Sequence, residues 1–557
     1  MIEERLLALI REALEAAAPG LGIEGDLPEP ELLAPKQKDH GDFATNVALA
    51  LASRAGRNPR EVAEAISRAF PEAPYVERVE VAGPGFLNLF VTHEWLHDAL
   101  RDVVERGADF GRAAPNGKRV QVEFVSANPT GPLHVGHARN AVLGDAIARL
   151  LDNAGWTVER EYYYNDAGGQ MDRFGASVEA RYLTLCGIET EIPEEGYHGS
   201  YIDTLARDLH EEVGGSYAEI SPADRLPIVR QAAAERVLRW IDRTLERFGV
   251  AFDTYTSEAS LMEKGEIDEA IRRLREAGDV YELDGALWFR STAFGDDKDR
   301  VVVRSNGIHT YFGADCAYVV DKFSRGFDHV IYVWGADHHG GVVRVKGAAQ
   351  ALGFDPEVVE VVLYQWVSFL RAGQPVPMSK RAGTFVALDE LIDEVGADAA
   401  RFTLLQYSND SALNFDIELV KQQTMENPVY YVQYGHARIA SILRKAEAQG
   451  VVMKPIADVD LSLLEHDAEL DLLRGIAEVP GQLALSAEQR APHRITHAAQ
   501  ALAARFHRFY TECRVVSEDE ALTQARLWLC AGTKQVLANL LGVLGVSAPE
   551  SMEREDG

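Results

Sequence analysis

One stretch constrains the chain more than any other. The β-type run VQVEFVSA from Val120 to Ala127 is stopped by the breaker string Asn128-Pro129-Thr130-Gly131-Pro132. After His134-Val135-Gly136-His137 a helix begins, with its apolar stripe on Ala138, Val142, Ile147 and Leu150. A strand that turns tightly into a helix is the opening of a nucleotide-binding α/β unit. His134 and His137 are three apart, so in the first helical turn both imidazoles share a face, beside amides that lack helical partners and at the positive end of the helix dipole. Such a place receives phosphate. Gly136 has no Cβ and lets a flat ring such as adenine approach the backbone. H-x-x-H also occurs in zinc sites, and two packed histidines are a further reading, although no third metal ligand stands nearby in the sequence.

The remainder of the 557 residues divides around this unit. At roughly 100 to 200 residues per domain, that length allows three to five domains. Residues 1–112 combine Ala-rich helical stretches with a strand pair around Val79 to Val81 and Leu87 to Val91, joined by Gly83-Pro84-Gly85, and read as a small α/β domain. Residues 113–388 read as a parallel-sheet domain in which β-type runs return at Val301 to Val303, Val330 to Val333 and Val358 to Leu363, after a polar, helix-rich insertion over about 172–280. Residues 389–557 are helical by period and composition, with Pro455, Pro480 and Pro492 as boundaries. The expected fold class is therefore α/β, a Rossmann-type parallel-sheet domain with an insertion, flanked by a small α/β domain and an all-α C-terminal bundle. MIEERLLALIREALEAAA places Leu6, Ile10 and Leu14 on one stripe with acids between them, an amphipathic helix rather than a secretory signal. The run from Val358 to Leu370 is too short to cross a bilayer. Cys186, Cys316, Cys513 and Cys530 are widely separated, which excludes a disulfide framework and leads to the expectation of a reducing, cytoplasmic setting.

A second motif follows the last β-type run: Pro377-Met378-Ser379-Lys380-Arg381-Ala382-Gly383-Thr384. A lysine on a small-residue loop can swing onto a triphosphate as a mobile charge, with Gly383 as hinge. HVGH and MSK together resemble the two signatures of class I aminoacyl-tRNA synthetases. VEFVSANPTGPLHVGHARN, YYYNDAGGQMD, YFGADCAYVVDKF, YVWGADHHG and VPMSKRAGT, in that order, resemble arginyl-tRNA synthetases of the bacterial type. KDHGDFATNVALALA and AGPGFLNLF are similar to that family's N-terminal tRNA-contacting domain. GADAARFTLL, YVQYGHARIASILRKA and FHRFYTECRV are similar to its helical anticodon-binding domain. One departure is Pro377, where the family signature carries its first lysine.

The resemblance implies ligation of L-arginine to tRNA(Arg) through an arginyl-adenylate, using ATP with its Mg²⁺, by a monomer. It gives His134 and His137 the α-phosphate and Lys380 the departing pyrophosphate, with Gly136, Met378 and Ser379 at the nucleotide. Residue by residue, it places Glu123, Asn128, Tyr311, Asp315 and His338 on arginine, whose planar guanidinium calls for a carboxylate fork. Asn165, Asp166 and Gln170, after the β-type run EREYYY, and Asp337 in WGADHHGG are expected near the same pocket. A His/Asp metallohydrolase built on His134, His137, Asp337 and His338 is the alternative from another class. A catalytically silent RNA-binding relative is a third.

Charge weighs against a polyanionic partner: 56 Lys and Arg stand against 87 Asp and Glu, a net −31. Locally the sign reverses. Arg494, Arg505, Arg508 and Arg514 are interleaved with Phe506, Phe509 and Tyr510, and Tyr430, Tyr431 and Tyr434 precede Arg438, Arg444 and Lys445. Aromatics beside cations are what an unstacked RNA loop uses. The expectation is tRNA contact through Tyr430, Tyr434, Arg438, Arg505 and Arg508 on narrow basic faces of an otherwise repelling surface.

Overall fold

A computed structural model of the chain describes residues 2–33, 35, 40–376 and 386–552. Met378, Ser379 and Lys380 lie outside the described residues. The chain forms two compact units, one of residues 1–111, 435–481 and 501–539, the other of 112–434, 482–500 and 540–557.

The second unit is built on a five-stranded parallel sheet. In spatial order its strands are Val359–Tyr364, His329–Gly335, Arg119–Glu123, Thr157–Tyr164 and Thr254–Ser257. The central strands carry the apolar runs that burial on both faces requires; Val120, Val122, Val330, Ile331 and Val333 are all buried. Chain order runs outward in opposite directions from Arg119–Glu123 and His329–Gly335, so a crevice opens between the carboxyl ends of these two neighbours. This is where sheets of this kind bind ligands.

The helix Ala138–Asn153 returns over the strand Arg119–Glu123, and Gly144 allows it to approach closely. A Cβ at Gly144 would stand 2.1 Å from the Phe124 ring. Buried Arg139, on the same helix, donates to the carbonyls of Gln365, Ser408 and Ser411 at 2.7 to 2.8 Å. Those three bonds fix the helix start against two distant loops.

Three helices, Gly169–Leu185, Ser200–Val213 and Pro222–Arg247, lie in the chain between the strands Thr157–Tyr164 and Thr254–Ser257. The run Val301 to Val303, expected in the parallel sheet, lies elsewhere. It belongs to Arg300–Val303, an edge of a separate antiparallel sheet with Val280–Leu283 and Ala286–Phe289. The cause is local: Asp284 and Gly285, with φ of 52° and 75°, close a two-residue hairpin of the kind that Asp-Gly favours. Beyond residue 388 the chain is not purely helical either. Leu413–Asp416 pairs in parallel with Val367–Arg371, which pairs antiparallel with Gln374–Pro375. Four long helices follow, Pro428–Ala448, Asp467–Glu488, His493–Glu512 and Glu520–Val543.

In the first unit, Phe86–Val91 is the middle of a three-stranded antiparallel sheet, between Phe43–Thr45 and Val76–Ala82. The expected pair and its Gly83-Pro84-Gly85 turn are present, and a Cβ on Gly85 would meet Pro59 at 2.8 Å. Leu6, Ile10 and Leu14 of the helix Ile2–Leu21 are buried against this sheet's core, as their spacing predicts. Among the described residues no helix is long and apolar enough to cross a membrane.

Candidate active site

His134 caps a 3₁₀ turn, Val135–His137, that leads directly into the helix Ala138–Asn153. Its Nδ1 accepts from the Gly136 amide at 3.0 Å, while the His134 amide donates to Nδ1 of His137 at 3.3 Å. The two rings stand 4.0 Å apart. With Nδ1 an acceptor in each, a neutral ring carries its proton on Nε2, so both imidazoles are set as donors. On the backbone side, the Val135 amide donates to the Val386 carbonyl at 3.1 Å and the Leu388 amide to the Leu133 carbonyl at 2.9 Å. The residue that follows 377–385 is thereby bridged to the histidine turn.

The loop leaving the first strand is strained. Val125 and Ser126 have φ of 65° and 43°, a left-handed conformation that a β-branched residue strongly resists. Buried Asn140 holds it there, accepting from the Val125 amide at 2.5 Å and donating to the Val333 carbonyl at 2.9 Å. Tyr162 adds a hydroxyl that both donates to and accepts from the Ala127 backbone. Ser126 Oγ donates to Glu123 at 3.1 Å and accepts from the Tyr163 amide.

Asn128, Asn165 and Gln170 come together. The Asn128 amide group accepts from the Asn165 backbone at 3.1 Å and donates to Gln170 at 2.9 Å. Asp166 turns to the next strand, accepting from the Ser257 hydroxyl and the Ala259 amide.

Between the carboxyl ends of the strands lies a cavity of about 280 Å³. Tyr163, Tyr318, Tyr332 and Trp334 form aromatic walls, and Glu123, Asp315, His338 and Arg344 supply its charged and polar groups. Its floor is a buried ionic network. Lys322 Nζ, fully buried, meets Glu123 Oε2 at 2.6 Å and lies over the rings of Tyr318 and Tyr332 at 4.2 and 4.1 Å. Glu161 accepts from Arg325 at 2.7 Å and from the hydroxyls of Tyr318 and Thr256 at 2.6 Å. Glu258 accepts from Tyr163 and Asn165 at 2.8 and 2.9 Å.

Asp315 differs from these acids. Among the described residues its carboxylate has neither an ion-pair partner nor a hydrogen-bond donor, although it faces the cavity. Although solvent reaches Asp315 through the cavity, desolvation by the surrounding protein, followed by the charges of Glu258 and Glu123, pushes its pKa up to about 7, against a smaller opposing pull from Arg344. Burial also raises Glu258.

The other expected residues scatter more widely. Tyr311 begins the helix Tyr311–Ser324, is 63% exposed and does not line the cavity; Thr310 caps that helix. His338 stands at the mouth, exposed, with Nε2 3.5 Å from Asp337. Tyr430 is buried, its ring stacked on Tyr434. Arg438 lies 4.6 Å from the centre of the Tyr510 ring. Arg505 pairs with Asp471 and Glu478, and Arg508 with Asp471 and Glu512. Phe506 and Phe509 are core residues.

Lys322, Tyr318, Glu161 and Glu258 went unrecognised in the sequence. A signal existed for two of them: Tyr318 and Lys322 are three and seven residues after Asp315, one face of the same helix.

Three family models match the chain: "Arginyl tRNA synthetase N terminal domain" over 4–91, "tRNA synthetases class I (R), catalytic domain" over 99–440, and "DALR anticodon binding domain" over 432–552. The chain is 49% identical over 523 residues to the arginine–tRNA ligase of Carboxydothermus hydrogenoformans, with 94% of each covered. It is also 49% identical over 553 residues to that of Moorella thermoacetica, with 99% of each covered. The solved Thermus thermophilus arginyl-tRNA synthetase shares the fold with a TM-score of 0.73 at 24% identity, over 99% of this chain and 100% of that one.

Proposed function

The chain belongs to the arginyl-tRNA synthetase family of class I and is an arginine–tRNA ligase, and we propose that it performs that ligation through the crevice just described. The observation that carries the assignment of roles is Asp315, a carboxylate without an ion-pair or hydrogen-bond partner among the described residues, inside an aromatic cavity at the carboxyl ends of the strands. A guanidinium supplies the paired donors such a group lacks, and its flat faces suit aromatic walls. Asp315 receives the guanidinium, with Glu123 in the adjoining wall and His338 at the mouth. Asn128 and Tyr311 enter on the family resemblance. Asn165, Gln170, Asp166 and Asp337 shape the surroundings.

Arginine's carboxylate attacks the α-phosphate of ATP and displaces pyrophosphate, and the ribose hydroxyl at the tRNA end then displaces AMP from the adenylate. The protein needs no nucleophile of its own for this. It must hold the reactants in line and stabilise charge as it builds on phosphate. His134 and His137 point Nε2–H donors for that purpose, and Gly136 leaves room for the adenine. Lys380, with Met378 and Ser379, holds the pyrophosphate, and Mg²⁺ arrives with the nucleotide. We assign 1–112 to tRNA contact, 113–388 to catalysis and 389–557 to the anticodon, with Tyr430, Tyr434, Arg438, Arg505 and Arg508 on tRNA(Arg). The family resemblance supports a cytoplasmic monomer. The metallohydrolase reading is not favoured, because synthetase family models span the chain.

ATP–pyrophosphate exchange with each amino acid, with and without tRNA(Arg), tests the reading. Arginine alone should support exchange, most strongly with tRNA; exchange with another amino acid and not with arginine would overturn it. Lys380→Ala should depress activation strongly and leave arginine binding nearly unchanged.

A further inference from the structure

We infer that Lys322 is a positioning residue for arginine selection: by neutralising Glu123, it leaves Asp315 as the carboxylate of the cavity lining that has no ion-pair partner among the described residues, so that the site accepts a single cationic group at a defined place. This rests on the reading of the cavity as the arginine site. Lys322 does not line the cavity and cannot touch the substrate. It acts through Glu123, whose two oxygens are taken up by Lys322 Nζ at 2.6 Å and by the Ser126 hydroxyl at 3.1 Å.

The surrounding charges make the balance specific. From the strand Arg119–Glu123 comes Glu123, and from Thr157–Tyr164 come Glu161 and the Tyr163 hydroxyl. Glu258 stands at the start of the helix Glu258–Glu263, engaged by Tyr163 and Asn165. The helix Tyr311–Ser324 supplies Tyr318 and Lys322, and Arg325 follows it. His329–Gly335 contributes the Tyr332 ring, and Arg344 approaches from His339–Ala351. Arg325, partly exposed, matches the buried Glu161, and Lys322 matches Glu123 in a pair that is buried on both sides. Without Lys322 the cavity lining would hold a second carboxylate with no cation, adding to the charge that Glu258, engaged only by neutral donors, already sets near Asp315. Two such acids cannot both ionise easily, so a proton is retained between them and the guanidinium loses its acceptor. The rings of Tyr318 and Tyr332 on either side of the ammonium stabilise the cation without using the lone pairs of Asp315.

The test measures arginine KM and kcat in tRNA-supported exchange from pH 6 to 9 for wild type, K322M, E123Q, the double variant E123Q/K322M, and D315N. For K322M, KM at pH 7 should rise about tenfold or more and return to within about threefold of wild type at pH 9, with kcat at saturating arginine little changed, because one pKa unit is a tenfold change in the binding-competent fraction. E123Q alone, which strands the ammonium, should also raise KM. The double variant removes both charges, so its arginine KM should be no higher than that of E123Q alone and should follow the wild-type dependence on pH, the non-additivity expected of a coupled pair. It leaves neither Glu123 nor Lys322 as a stranded ion, so it decides the matter even if K322M does not fold. A double variant whose KM is the product of the two single effects, or a K322M enzyme with unchanged KM and pH profile, would overturn the role of Lys322. D315N separates the two levels of inference: if it leaves arginine KM unchanged, the cavity is not the arginine site; if it raises KM while the double variant shows the two single effects multiplied, only the Lys322 proposal fails.

Discussion

The amide of Val135 donates to the carbonyl of Val386 at 3.1 Å, which joins the histidine turn to the residue that follows the lysine-bearing segment. The Leu388 amide returns the bond to Leu133 at 2.9 Å, so the two segments form a short antiparallel bridge about His134 and Ala387. The histidine turn is thus tied to Val386, Ala387 and Leu388 by backbone alone, with no side chain between them.

His134→Asn separates capping from chemistry. An asparagine oxygen can still accept from the Gly136 amide as an N-cap, while the Nε2 donor is lost. Thermal stability should stay near wild type. Steady-state exchange should show kcat reduced roughly 10²- to 10³-fold with little change in KM for arginine or ATP, the mark of an interaction made in the transition state.

Asp315 should write itself into the pH profile. Its carboxyl is held at about 7, and only the ionised form receives a guanidinium. Arginine kcat/KM should therefore be full above that value and fall as pH drops through it, since this ratio reports ionisation in the free enzyme. Asp315→Asn should abolish that limb and cost about 3 kcal/mol in arginine kcat/KM, roughly 10²-fold, with ATP KM unaltered.

The sequence displayed the local half of this site. His134, Gly136 and His137 are neighbours, and their spacing alone puts the rings together. Asp315 was visible only through its motif, and its isolation was not, because that depends on which acids already have partners. Glu123 is paired with Lys322 across 199 residues, a relation no periodicity encodes. The run Val301 to Val303 was misplaced for a related reason. Three β-branched residues describe a strand but not its neighbours, and the Asp284-Gly285 hairpin that decided its partner lay outside the run. The basic aromatic face was half legible: Phe506 and Phe509 face the core at helical spacing, while two of the opposing acids, Asp471 and Glu478, come from another helix.

Asn140→Ala should be destabilising out of proportion to its size. It leaves the buried Val125 amide without an acceptor and the Val333 carbonyl without that donor, while Val125 and Ser126 must still hold positive φ. An orphaned buried group costs about 1 to 3 kcal/mol, and released strain would let the loop above Glu123 relax. Calorimetry should show a lowered Tm. Arginine KM should rise even where the variant is fully folded, because Ser126 carries one of the bonds to Glu123.

On the proposed tRNA contact, Asp471 should set how much of the positive charge of Arg505 and Arg508, on the neighbouring helix His493–Glu512, reaches an RNA. It stands 3.5 Å from Arg505 and 3.6 Å from Arg508, each of which has a second acid, Glu478 and Glu512 respectively. All five side chains are at least a quarter exposed, so these ion pairs contribute little to stability. They do cancel the local field, and with a net −31 on the chain the remaining patch is narrow. Asp471→Asn should leave Tm within about 1 °C or so, since a lost surface pair is worth under about 1 kcal/mol. It should tighten tRNA(Arg) binding about two- to fivefold at low salt, with the gain fading as screening sets in. Arg505→Ala and Arg508→Ala should each weaken binding and flatten the dependence of log K on log salt by about 0.7 to 0.9, one phosphate contact apiece. Filter binding across a salt series measures all three. If Asp471→Asn left affinity unchanged while the arginine variants kept the wild-type slope, this helix face would not touch tRNA, and the basic surface would have to be sought among Arg438, Arg444 and Lys445.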